Sequence, residues 1–229
     1  MADSTKDTYW EKIARTNWGT YITGVEKQAL LKAVSLFQEP DTALEIGCEG
    51  GRWSKFLVDR DWKVTCTDIN PNSLEICKER IPTATCVLVS PQDRTLPCTS
   101  SSQALLLCIE VVPVMASDWL TDEALRVLRP GGLLVGVYLN RRSLRGYYRH
   151  LTAAKNKEFD YYKVDYLNWR SQLCKHGFRM IFEEGICWFP FTRNSNSSLI
   201  PILTQLELRL GLRRLPGVSP WIVFLAQKV

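Results

Sequence analysis

Two acids and a run of glycines stand where a ligand could be held. Glu45 lies in the apolar run Ala43-Leu44-Glu45-Ile46, followed at once by Gly47-Cys48-Glu49-Gly50-Gly51-Arg52-Trp53-Ser54. Glycine adopts positive φ freely and lets the backbone approach a ligand closely. A helix that begins just after such a turn offers free N–H groups and a partial positive charge. A dinucleotide site wants G-x-G-x-x-G here, whereas the chain reads G-x-x-G-G from Gly47. Nicotinamide-dependent hydride transfer is therefore disfavoured, and the acid two residues before Gly47 suits a cationic, amine-bearing ligand instead. Asp68 closes the next strand-like run, Lys63 to Thr67, 21 residues after Gly47. An acid at that distance can accept hydrogen bonds from ribose hydroxyls, although a turn or N-cap would also favour Asp. Glu110 follows the apolar run Ala104 to Ile109, where it could serve as a base, a substrate clamp or a solvated turn residue.

The elements that must position these groups alternate. Strands are predicted at 43–46, 63–67, 85–89, 104–109 and 133–138, with helices at 53–60, 71–80 and 119–128 between them. Asn70 is the expected N-cap of the second of these helices. Strand–helix alternation of this kind means βαβ units and a mainly parallel sheet. Residues 5–37 have helical periodicity, expected to break at Gly19 and Gly24. Beyond residue 140 the pattern loosens into helices at 142–154 and 167–176, a strand at 179–188, a helix at 199–210 and a last strand at 221–228.

Length and composition narrow the class. A chain of 229 residues with 45% hydrophobic and 23% charged residues fits one soluble α/β domain. The longest apolar stretch, Ala104 to Ala116, is interrupted by Glu110 and Pro113, short of the roughly 20 residues a bilayer span needs. No pair among the eight cysteines forms C-x-x-C, which argues against a zinc site. Buried, reduced thiols are expected; with a polar start lacking an apolar signal core, they point to the cytoplasm. A net charge of +5 is too mild to announce nucleic acid by itself.

In order and spacing, four segments resemble the class I S-adenosylmethionine (SAM)-dependent methyltransferases, in their small-molecule branch. Leu44 to Ser54 resembles the family's acid-x-G-x-G-x-G motif: Glu45, Gly47 and Gly51 match, Glu49 stands at the middle glycine, and Gly50 follows one residue late. Asp68 is similar to the acid that grips the SAM ribose, with Ile69 against adenine. Ser90 to Cys98 is similar to the GDAxxLPF segment through Leu96-Pro97, leaving Gln92 or Asp93 as the adenine contact. Glu123 to Gly132 resembles the E-x-x-R-V-L-K-P-G-G signature before the fifth strand, whose Pro stops a helix and whose glycines turn the chain.

The resemblance implies a Rossmann-like, doubly wound α/β fold. Its seven-stranded sheet is mostly parallel with an antiparallel last strand and helices on both faces. Residues 1–40 would form a helical lid, 41–139 the SAM-binding core, 140–178 a substrate-side insert and 179–229 a closing strand–helix–strand. The cofactor residues would be Glu45, Gly47, Cys48, Gly50, Gly51, Asp68, Ile69, Asn70, Gln92, Asp93 and Ile109, with Trp18 and Tyr21 closing over them. SAM would give its methyl group directly to an oxygen, nitrogen or carbon of a small molecule, leaving S-adenosylhomocysteine (SAH), without metal or covalent intermediate. His150, Glu110 and Tyr147 are the candidate catalytic residues, His150 because the segment after the fifth strand often lines the acceptor site in this family. His176, before Gly177 at a helix end, reads as structural. Arg142, Arg145 and Arg149 share a helical face, with Arg141, Lys155 and Lys157 nearby; they could hold an anionic substrate or, in an RNA-directed enzyme, nucleic acid. The absence of N-P-P-Y or D-P-P-Y after the fourth strand argues against methylation of DNA exocyclic amines. A monomer or homodimer is expected, and a non-catalytic SAM-fold scaffold is the alternative that Glu49 supports.

Overall fold

The computed structural model describes residues 7–156 and 159–229, so Lys157 lies outside the described residues. Seven strands form one sheet: β1 (Thr42–Ile46), β2 (Lys63–Asp68), β3 (Thr85–Leu88), β4 (Gln103–Cys108), β5 (Leu128–Leu139), β6 (Phe178–Ile186) and β7 (Trp221–Lys228), in the order β3-β2-β1-β4-β5-β7-β6. The first five pair in parallel, and β7 inserts antiparallel between β5 and β6. The parallel part is what the alternation of elements predicts, and the seven-stranded Rossmann-like whole with its antiparallel last strand is what the resemblance implies.

The helices are α1 (Tyr9–Ala14), α2 (Asn17–Val34), α3 (Arg52–Val58), α4 (Pro71–Arg80), α5 (Val112–Met115), α6 (Leu120–Val127), α7 (Leu144–Asn156), α8 (Tyr166–Lys175) and α9 (Leu199–Arg209). Strand β4 is buried along its whole length, as a central parallel strand covered on both faces must be. Because side chains alternate along a strand, Leu105 and Leu107 pack under α2, α3 and α4, while Leu106 and Cys108 pack with α5, α6 and α8 on the opposite face.

Two local expectations change. The amino-terminal helix breaks at Arg15-Thr16, not at a glycine: Thr16 caps α2 by accepting the Gly19 amide hydrogen. Gly19 serves close packing instead, since a Cβ there would stand 1.9 Å from the Ile13 carbonyl oxygen; Gly24 faces open space inside α2. Arg129 to Gly132 does not form a turn after the helix. Helix α6 ends at Val127 and β5 begins directly, with Gln103 paired to Leu128 and Leu105 to Leu133, so the extra residues bulge out around Gly131 at φ 77°.

Chain order reverses between β1 and β4, which opens a crevice at their carboxyl ends, where open α/β sheets place ligands.

Candidate functional site

A cavity of about 490 Å³ occupies that crevice, within the size range of small-molecule sites. Its floor is the turn after β1. Gly47 sits at φ 67°, and a Cβ there would come within 2.7 Å of Val111, so only glycine fits. Cys48 donates its backbone N–H to the Thr67 carbonyl, tying the turn to β2. Gly51, at φ 79°, caps α3 with Cys77 2.7 Å from where a Cβ would stand, and Gly50 packs against Arg80 and Thr8. These two glycines shape the turn from behind and do not line the cavity.

Glu49 is left-handed at φ 48°, a conformation costly for any side chain but glycine. Glu49 lines the cavity, and its carboxylate accepts from Thr8 Oγ1 at 2.8 Å and Trp10 N at 3.2 Å. It therefore holds the free amide end of α1. Arg80 adds a second tie, reaching Glu11 at 2.5 Å and the Gly50 carbonyl at 3.2 Å. Together they lay α1 on the glycine turn and bring Trp10 into the cavity wall.

Asp68 ends β2 at the cavity. It accepts from Glu49 N at 2.9 Å and Asn70 N at 2.8 Å, which leaves lone pairs for a ligand, since a carboxylate offers about four. Asn70 caps α4 by accepting from Asn72 N. Ile69 is 58% exposed against the opening, an unusual position for a large apolar side chain and a ready face for a planar ring. Asp93 lines the cavity beyond it and accepts from Ser90 N. Gln92 does not line it; its side chain accepts from Ser90 Oγ on the exposed surface. The E-x-x-R pair of α6 holds this loop: Glu123 accepts from Leu96 N, while Arg126 donates to the carbonyls of Leu96 and Cys98.

Glu45 lines the cavity from its buried side and accepts from Ser54 Oγ, which in turn accepts from Cys66. Burial, foremost, pushes its carboxyl up to about 8. The thiols of Cys48, Cys66 and Cys77 gather within 4.8 Å of one another. Sequence spacing hid this cluster, because each thiol comes from a different element. Hydrogen bonds from Cys48 and Cys66 lower the Cys77 thiol while Cys48 is raised.

The β4 end of the cavity carries Ile109 and Glu110. Glu110 is not a solvated turn residue: its side chain is 4% exposed, its φ is 59°, and neither carboxylate oxygen meets a hydrogen-bond donor. Arg193 stands 4.0 Å away, stacked over Trp10 and Trp221. Glu26 of α2, wholly buried, is its other neighbour and is held by Arg52 at 3.1 Å. Burial raises both carboxyls; the charge of Glu110 raises Glu26 further, while Glu26 and Arg193 lower Glu110. Sequence reading passed over Glu26, although its place on the buried stripe Ile22, Glu26, Leu30 was a signal. It also missed Trp10, Arg52, Trp53 and Trp119 as cavity residues.

Besides Gly50, Gly51 and Gln92, four further expected site residues lie away from the cavity. Trp18 packs edge-on to Trp221 in the core, because its α2 face is the buried one. Tyr21 donates to Glu207 at 2.7 Å and accepts from Cys187 N, pinning α2 to α9. His150 pairs with Asp160 at 2.6 Å on the outer side of α7. Tyr147 is 58% exposed beside a separate surface groove with Arg141 and Arg142. The basic face is partly engaged: Arg145 donates to the Phe189 carbonyl, Arg141 to the Lys163 carbonyl, and Arg142 stands 3.7 Å from Asp165. His176 closes α8, its ring nitrogen 2.8 Å from the Gln172 carbonyl.

Residues 43–132, which include the glycine turn, Asp68 and the α6 signature, match a family model described as a methyltransferase domain. An uncharacterized methyltransferase-like protein of Schizosaccharomyces pombe is 24% identical over 164 residues, 69% of this chain; the chain spans about 60% of that relative's length. A putative sarcosine dimethylglycine methyltransferase from Galdieria sulphuraria shares the fold at a TM-score of 0.62 and 15% identity, over 92% of this chain and 86% of that one. A geranyl diphosphate methyltransferase in complex with SAM does so at 0.61 and 18%, over 89% and 85%. Residues 43–132 thus match a methyltransferase domain, and the whole chain shares its fold with SAM-dependent methyltransferases.

Proposed function

We propose that the chain binds SAM in the cavity between β2, β1 and β4 and directs its methyl group to a small-molecule acceptor entering beside Glu110. The observation that carries this reading is the pairing of a glycine-only floor at Gly47 with an acid at the end of the neighbouring strand, Asp68, in one cavity. The donor chemistry suits the group: Asp68 for ribose hydroxyls, Ile69 and Leu96 for an adenine face, Asp93 for its polar edge. Strands lie about 4.8 Å apart. A ligand gripped at Asp68 and crossing β1 therefore reaches the β4 end after roughly 10 Å, where Glu110 stands. SAM supplies an activated, sulfonium-bound methyl group, so the chain's own work is positioning and exclusion of water. Trp10, held by Glu49, and Trp119 enclose the cavity for that purpose.

Titration calorimetry with SAM, SAH and NADH tests the reading. Saturable binding of the first two and none of the third is expected; failure of both SAM and SAH to bind overturns it. The engagement of Glu49 with α1 supports an intact turn over a decayed scaffold, and the engaged arginines of α7 favour a small acceptor over RNA.

A further inference from the structure

We propose that the β4 end of the cavity recognises the methyl acceptor through a basic nitrogen, so that the acceptor is an amine and Glu110 is its anchor. This rests on the reading of the cavity as a SAM site.

The argument begins with Glu110 itself. Its side chain is 4% exposed yet faces the cavity, and both oxygens lack a donor. A buried polar group without a partner is costly, and in a native protein it marks strain, a catalytic or binding role, or an ordered water or ion. The backbone adds to that cost, since Glu110 is held at φ 59°; strain of this kind concentrates at ligand clamps. A proton carried by Glu26 can bridge to one of the oxygens, which leaves acceptor capacity on the carboxylate. What the site lacks is therefore an N–H or O–H donor, and a carboxylate selects the cationic one.

The neighbours also provide a route for a proton. Those facing Glu110 are Glu26 from α2, Arg52 from α3, and Arg193 and Cys187 from the segment after β6. An amine must be unprotonated to act as a nucleophile. The ammonium N–H bond breaks, its electron pair stays on nitrogen, and the proton passes to a Glu110 oxygen, whose carboxyl is raised above its ordinary range by burial. No other reactant is needed for that transfer.

The test uses the whole chain saturated with SAH and three probes of one shape: benzylamine, benzyl alcohol and benzoate. Calorimetry should show benzylamine binding at least tenfold more tightly than the other two. Repeating it in two buffers of different ionisation enthalpy should show a net proton change on binding. Glu110→Gln should weaken benzylamine at least tenfold, abolish the proton change and leave SAH affinity within threefold. Equal binding of amine and alcohol, or preference for benzoate, overturns the proposal, and this comparison needs no variant. If Glu110→Gln weakens SAH and spares benzylamine, Glu110 belongs to the cofactor and the proposal fails while the SAM reading stands. If SAH does not bind at all, the SAM reading fails first and the proposal with it.

Discussion

Replacing Glu49 by glycine restores the family's usual motif, yet the structure predicts a loss. Two terms oppose each other. Relief of the left-handed backbone at φ 48° is worth about 1 kcal/mol. Removing the carboxylate takes away the partners of Thr8 Oγ1 and Trp10 N, a helix-end interaction of about 1–2 kcal/mol with charge-assisted bonds at its stronger end. The two nearly cancel in global unfolding, so the urea midpoint should barely move. They do not cancel locally, because the strain belongs to the turn and the lost bonds belong to α1. With the first turn of α1 losing this tie to the glycine turn and keeping the Arg80–Glu11 pair, its opening should become easier by about 2 kcal/mol, or roughly 30-fold. Hydrogen exchange at the α1 amides, Trp10 above all, should accelerate by about that factor, and SAM affinity should fall as the Trp10 wall loosens. Unchanged α1 exchange, or a tenfold gain in SAM affinity, would refute the clamp and mark Glu49 as a defect in the turn.

Asp68→Ala should weaken SAM and SAH binding by roughly tenfold or more, the worth of a charge-assisted bond to ribose, as read by calorimetry; an unchanged affinity removes Asp68 from the site. Arg126→Ala removes the ties to Leu96, Cys98 and Glu123 and should cost about 2 kcal/mol in urea unfolding. Glu45 has a folded pKa of about 8 against an ordinary 4.5, so its contribution to stability is fully present below pH 4.5 and lost as pH rises toward 8. Glu45→Gln stays neutral, and its stability relative to wild type should climb by up to about 1.4 kcal/mol per pH unit across that window; parallel pH curves would contradict the assignment. In α2, Gly24→Ala should stabilise by about 0.5–1 kcal/mol, while Gly19→Ala should destabilise sharply because its Cβ meets the Ile13 carbonyl. Equal effects in urea unfolding would show that α1 does not pack as described.

The sheet was legible because each strand is an apolar run closed by its own turn chemistry, and β1 to β4 fall within a residue or two of their predicted bounds. Glycine misled where packing set its role: Gly19 accommodates a carbonyl, and Gly131 serves a strand bulge. The β1–β2 half of the site was also readable, because Gly47 and Asp68 come from consecutive βα units at a fixed spacing. Of the β4 half only Ile109 and Glu110 were readable, since Trp10, Glu26, Arg52 and Arg193 come from four other segments and meet them only by tertiary packing. Glu26 left one trace, a charge in the buried stripe of a helix. Trp18 and Tyr21 left a false one, because an aromatic turned to the core reads like an aromatic turned to a ligand.

The sheet order also sets a timetable for synthesis. Strand β7 lies between β5 and β6, so β6 emerges from the ribosome with no sheet partner, and one edge of β5 stays bare until β7 follows more than 30 residues later. At about 5–20 residues per second, a nascent chain exposes that apolar edge for seconds. Such edges recruit other strands, and the growing chain at that stage is the form most in need of a chaperone.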